Sequence, residues 1–265
     1  MKNIILQTLL DESKLSLKGL YYRTQILFAY NSNHIEGSTL SEYQTRMLYE
    51  KNEFLAEREQ IIRENDIIEA RNHFKAFDFI LQSVNETLSK EYLKKLHYLV
   101  KQNCQNIKII GDFKQKPNFI GDSKTTTPNM VNKEIESILK TYKEQNSFED
   151  IVDFHYEFEK IHPFEDGNGR VGRLLMFKEC LKNNIIPFII DEEHKLFYYR
   201  GLKEFEKTKG YLIDTCLSCQ DRYKEILEYF KIDLTQTANK SVLQNSAKSH
   251  LSSVSNTTIN KKRRT

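Results

Sequence analysis

Only nine glycines and four prolines interrupt 265 residues, so few positions force a helix to stop. Apolar side chains recur at helical spacing along most of the chain. Between Lys14 and about Glu86 they include Leu20, Ile26, Leu27 and Tyr30, and then Ile61, Ile67, Ile68, Phe74, Phe77 and Ile80. "TLSK" at 87–90 offers a helix start, after which Tyr92, Leu93, Leu96, Leu99 and Val100 share one face. The pattern breaks between Asn103 and Pro128, where Gly111, Pro117, Gly121 and Pro128 punctuate short β-branched and aromatic runs, and a small β-hairpin flap is expected there. Helical spacing returns at "NKEIESILKTYKEQ" and "EDIVDFHYEFEKI" and continues to about Leu234. The final stretch is rich in Ser, Thr, Asn and Lys; it buries too little to offset ordering entropy and predicts a disordered polar tail. The expected fold is all-α, with an N-terminal helical region over 1–89, a helical unit with its flap over 90–232, and a tail over 233–265.

Forty basic and 37 acidic residues leave a formal net charge of +3, too balanced to demand nucleic acid or an anionic membrane as partner. No run approaches the ~20 apolar residues that span a bilayer. The N-terminal "MKNIILQTLLDESK" turns acidic early and lacks a small-residue cleavage site, so it reads poorly as a signal peptide. Four cysteines, Cys104, Cys180, Cys216 and Cys219, do not make a disulfide-stapled secreted fold, and a reducing, cytoplasmic compartment is expected. Cys216 and Cys219 form a C-x-x-C inside an apolar helical pattern, with no second pair at zinc spacing, and are expected to be buried structural thiols. His34, His97 and His155 sit in helical patterns and are expected to be ordinary packed or surface histidines. No G-x-x-x-x-G-K-[ST] is present, which disfavours a P-loop nucleotidase.

Chemistry concentrates in "HYEFEKIHPFEDGNGRVGRLLM", residues 155–176. Turn residues alone predict a helix ending near Ile161, a turn through Pro163, Gly167 and Gly169 with Asp166 or Asn168 as cap, and a second helix from near Asn168. The same geometry suits a polyphosphate. A helix start presents unpaired N–H groups and partial positive charge, and Gly167 and Gly169 let backbone approach an oxygen closely. Arg170 and Arg173, at i and i+3, project from nearby positions to hold neighbouring phosphates. Asp166 is an oxygen ligand of the kind Mg²⁺ takes alongside substrate phosphates, and His162 can accept a proton from an attacking hydroxyl. Phe164 reads as a core anchor.

"HPFEDGNGRVGR" resembles the Fic family signature, H-P-F-x-D/E-G-N-G-R-x-x-R, at every defined position. The likeness extends through "HYEFEKI", "LLMFKECLKNNIIPFII" and "YYRGL", over about residues 90–230. It implies a Fic (Fido) helical core with a hairpin flap, and transfer of AMP from ATP to a hydroxyl side chain of a target protein. By this resemblance His162 is the base and Asp166 holds Mg²⁺. Gly167, Asn168 and Gly169 hold phosphates, Arg170 contacts the β-phosphate region and Arg173 the γ-phosphate. The flap, about 113–126 with Phe119, Ile120 and Gly121 at its tip, docks the target by main-chain pairing. Tyr198 and Tyr199 line the nucleoside pocket. The chain departs from the family pattern at Glu206 and Lys207, where an asparagine is frequent.

"YNSNHIEGSTL", residues 30–40, contains Ser32-x-x-x-Glu36-Gly37. By spacing this is an ordinary helix end with Gly37 as its stop. Beside the first motif it resembles the family's inhibitory [S/T]-x-x-x-E-[G/N], which implies that Glu36 pairs with Arg173 in a charge-assisted, bidentate contact and keeps the γ-phosphate from it. The expectation is an adenylyltransferase silenced by its own N-terminal helix, with ATP and a target protein, itself included, as partners and the N-terminal helices as a homodimer face. Removal of AMP, transfer of another phosphate-linked group, and non-catalytic nucleotide binding are the alternatives.

Overall fold

The computed structural model describes residues 3–15, 18–53, 56, 60–105, 107–121 and 123–234. Among them stand ten helices and one short hairpin: α1 Ile4–Leu15, α2 Leu20–Ile35, α3 Glu42–Lys51, α4 Glu64–Gln82, α5 Lys90–Lys101, β1 Phe119–Ile120, β2 Ser123–Lys124, α6 Pro128–Thr141, α7 Phe148–Ile161, α8 Asn168–Lys182, α9 Lys195–Glu204 and α10 Gly210–Tyr229. The all-α expectation holds, and the hairpin lies where the helical pattern breaks. The predicted tail falls outside the described residues from 235 onward.

Local chemistry sets the helix ends. Ser41 and Ser147 build capping boxes with Gln44 and Asp150, Ser89 accepts from the Tyr92 N–H, and Pro128 opens α6 at its first turn, each satisfying or avoiding a donor that a helix start leaves unpaired. Helix α8 forms the centre. All its residues except Gly169 and Lys182 are buried, as required of a helix packed on every side. It packs against α2, α4, α5 and α7. One core joins Ile5 and Leu9 of α1 and Phe28 of α2 to Phe77, Leu96, Phe158, Leu174, Phe177 and Tyr223. Cys180, Cys216 and Cys219 share a second cluster with Met176 and Tyr198, and all four cysteines are buried free thiols. No helix among the described residues is long and apolar enough to cross a membrane.

Candidate active site

Helix α7 ends at His162, whose φ of 51° reverses the chain while its N–H still reaches the Phe158 carbonyl at 3.0 Å. The left-handed conformation is tolerated by few side chains, and it swings the imidazole out of the helical stack. Two residues on, Phe164 is fully buried and stacks on His97 with ring centroids 4.0 Å apart. Asn168 closes this loop from the other side: its Oδ1 accepts the Phe164 N–H at 2.8 Å and its Nδ2 donates to the Phe164 carbonyl at 3.0 Å. The Asn168 side chain thus shapes the turn, and the capping expectation needs correction. Gly167, with φ of 81°, is itself the N-cap of α8, and no side chain caps it. Asp166 spends Oδ1 on the Gly167 N–H at 2.6 Å.

Arg170 and Arg173 both point inward, with 3% and 2% of their side chains exposed. Arg173 donates through Nε to Ser32 Oγ at 3.1 Å and through Nη2 to the Ser32 carbonyl at 2.8 Å and Glu36 Oε1 at 2.7 Å. The contact with Glu36 is therefore single and not bidentate, through an Nη2 that it shares with the Ser32 carbonyl. Burial opposes ionisation of Glu36, yet Arg173 and then Arg170 hold its carboxyl below the usual range. Glu36 Oε1 also covers Gly169, where an added Cβ would stand 2.3 Å from it. The carboxylate thus sits over the first turn of α8 as well as on Arg173. Gly37, at φ of 88°, ends α2 immediately afterward. The Tyr199 hydroxyl donates to the Ile35 carbonyl at 3.0 Å, and His34 Nε2 lies 2.9 Å from Glu192 Oε1, so the end of α2 is strapped to the segment leading into α9.

A cavity of about 800 Å³ opens beside these groups. His162, Gly169, Arg173 and Glu36 form one wall, Tyr198 and Tyr199 another, and Phe119, Ile120 and Gly121 its lip. Tyr198 is almost wholly buried and its hydroxyl meets His155 Nε2 at 2.7 Å. The flap pairs Phe119 with Lys124 and Ile120 with Ser123. Its arms are tied to the histidine loop by Lys114, whose Nζ donates to Asn118 Oδ1, Thr125 Oγ1 and the Ile161 carbonyl, and whose N–H donates to the Pro163 carbonyl. Burial, and then the nearby Lys114 charge, push the His162 imidazole down to about 4, so it is neutral at pH 7 and able to accept a proton. Burial also resists ionisation of Asp166, but Arg170 and then Lys101 outweigh it and hold that carboxyl at about 2.

Sequence reasoning missed Lys101, Glu69 and the role of His97. His97 is wholly buried, stacks on Phe164 and bonds the Asp166 carbonyl; it is a positioning residue for the loop. One signal was available: Lys101 stands at i+4 from His97 and i+8 from Leu93, a charge on the apolar face of α5, and a buried charge must have a partner.

The scaffold thus gathers two buried arginines, the Asp166 carboxylate and the His162 imidazole around a helix start that no side chain caps. Here an N-terminal glutamate is laid over one of the arginines. Residues 87–180 match the Fic/DOC family model. It is 27% identical over 199 residues to a protein adenylyltransferase Fic of Aedes aegypti, covering 73% of this chain and 39% of that protein. It is 26% identical over 200 residues to protein adenylyltransferase fic-1 of Caenorhabditis elegans, covering 71% and 38%. The match thus spans less than half the length of these curated relatives. A crystal structure of a Fic domain-containing signaling protein from Bacteroides thetaiotaomicron shares the fold, with a TM-score of 0.72 at 22% identity, over 87% of this chain and 97% of that one.

Proposed function

We propose that this chain is an autoinhibited protein adenylyltransferase that moves AMP from ATP to a hydroxyl side chain of a target protein. The single observation that carries the proposal is the Glu36 carboxylate on Arg173 and over Gly169, which puts an anion of the chain's own at the place where a polyphosphate would lie. The first-turn N–H groups of α8 and Arg173 would bind the β- and γ-phosphates once Glu36 withdraws. The donor set at Asp166 fits Mg²⁺, because a partly exposed, ionised carboxylate next to a phosphate site is what that ion uses. When bound, Mg²⁺ would offset the negative charge of the substrate phosphates.

His162, neutral and at the cavity wall, would take the proton of the target hydroxyl as its oxygen attacks the α-phosphorus. A new P–O bond forms, the α–β anhydride bond breaks, and pyrophosphate leaves. The exposed edge at Phe119 and Ile120 would align the target segment by strand pairing, and Lys114 would keep that edge in register with His162. The test is transfer of label from α-labelled ATP by the Glu36→Gly chain and by Glu36→Gly/His162→Ala. The double variant is expected to retain ATP binding and lose transfer by at least about 100-fold. Equal transfer by both chains would overturn the assignment.

A further inference from the structure

The turn that carries Asp166 is gripped from beneath by α5. His97 and Lys101 stand at i and i+4, on one helix face. His97 Nδ1 accepts the Gly111 N–H at 3.0 Å, so the ring proton sits on Nε2, which donates to the Asp166 carbonyl at 3.0 Å. One residue thus holds the main chain of Asp166 and the other its side chain. Lys101 Nζ, with no side-chain exposure, donates to Asp166 Oδ2 at 2.5 Å and to Glu69 Oε1 at 2.5 Å. Glu69 Oε2 in turn meets Arg170 Nη1 at 2.5 Å, and Arg170 Nη2 lies 3.6 Å from Asp166 Oδ1. Two cations and two carboxylates form a closed ring.

A buried ammonium is tolerated only when it is paired, and Lys101 is paired twice. It is also confined: an added Cβ at Gly167 would stand 3.1 Å from Lys101 Cγ and Cδ, so the aliphatic stem runs directly under the turn. The lysine cannot swing aside without reshaping the loop. Oδ2 of Asp166 therefore carries a buried ammonium, whereas Oδ1 takes a single hydrogen bond from the Gly167 N–H at 2.6 Å and keeps a lone pair for a cation.

Cations differ in what they accept from such a carboxylate. Mg²⁺ takes single oxygens in a tight octahedron, whereas Ca²⁺ takes more ligands at longer distance and uses bidentate carboxylates readily. We propose that Lys101, anchored by Glu69, is a positioning residue that confines Asp166 to single-oxygen ligation and thereby sets a preference for Mg²⁺ over Ca²⁺. This rests on the proposed role of Asp166 in holding Mg²⁺ with ATP.

The test is calorimetric titration of the full chain with an α,β-methylene ATP analogue in the presence of Mg²⁺ or of Ca²⁺. The ratio of apparent cation affinities is read for the natural chain, for Lys101→Met, and for Lys101→Met/Glu69→Gln, which restores the charge balance of the ring. The Mg²⁺-to-Ca²⁺ ratio is expected to fall by about tenfold in both variants. A ratio unchanged in the double variant, checked as folded by a cooperative melt, overturns the inference while leaving the Mg²⁺ site standing. Asp166→Ala separates the two ideas: cation affinity unaltered by that substitution would remove the Mg²⁺ site, and the inference with it.

Discussion

Replacing Glu36 with glycine removes the one carboxylate that faces Arg173 from α2. The energetic consequence follows from the geometry. Breaking a fully buried ion pair costs roughly 3–5 kcal/mol, but 29% of the Glu36 side chain is exposed, and Arg173 keeps both bonds to Ser32. The expected loss is therefore about 1–3 kcal/mol, which for a chain of this size lowers the melting temperature by about 2–10 °C. If ATP must displace the same contact, that free energy returns as catalysis. Since 1.4 kcal/mol is about a factor of ten, the catalytically competent fraction rises by about 5–150-fold. The assay is initial-rate incorporation of labelled AMP into a cell lysate and into the chain itself, paired with a thermal melt. Faster transfer from a less stable protein is the expected pair of outcomes. Loss of stability without a gain in transfer would refute the idea that this contact restrains the site, and show it to be a structural bridge only.

Two further outcomes concern the scaffold. Gly201 on α9 faces Leu212 of α10, where an added Cβ would stand 2.7 Å from the Leu212 Cα and 2.9 Å from its N. Backbone cannot give way cheaply, so Gly201→Ala is expected to destabilise by about 1–3 kcal/mol despite alanine's better helix propensity; equal or higher urea midpoints would contradict the close approach of the two helices. Burial holds His73 and His155, both wholly buried, at about 3 against an ordinary 6.5. The unfolded chain therefore binds more protons, and their stabilising contribution, complete above pH 6.5, is lost as pH falls toward 3, by up to about 1.4 kcal/mol per pH unit for each group. Glu159, which burial pushes up to about 8 from 4.5, acts oppositely: its contribution is complete below 4.5 and is lost as pH rises through 8. Urea midpoints of Glu159→Gln between pH 7 and 4 report these two rings together with His97 and His162, which burial holds at about 4. A flat profile would mean that the two rings are not buried neutral.

Much of the architecture was legible because its causes are local. The helical stripe through Tyr92, Leu93, Leu96 and Val100 and the serine before it mark α5 within one turn of chain. Gly167, Gly169 and Pro163 mark a turn whatever surrounds them. The pairing of Glu36 with Arg173, 137 residues apart, was visible only through the resemblance of two short motifs. Neither spacing nor composition joins them. The expectation that Asp166 or Asn168 would cap α8 failed for a similar reason. Both side chains can cap, but Asn168 is turned to close the loop around Phe164, and that loop exists only because Phe164 is anchored against His97.

By itself, then, the amino-acid order determined where helices start and stop, which faces are apolar, and which short segment gathers a histidine, an acid and two arginines around one glycine-bearing turn. The tertiary structure decided which charge meets which. Lys101 on α5 and Glu69 on α4 become partners of Asp166 and Arg170 because those helices pack against α8, and the end of α2 reaches Gly169 because α2 packs there too. Helical periodicity is written in steps of three and four residues, whereas an ion pair depends on distance in space, and only the packed core brings distant residues within that distance.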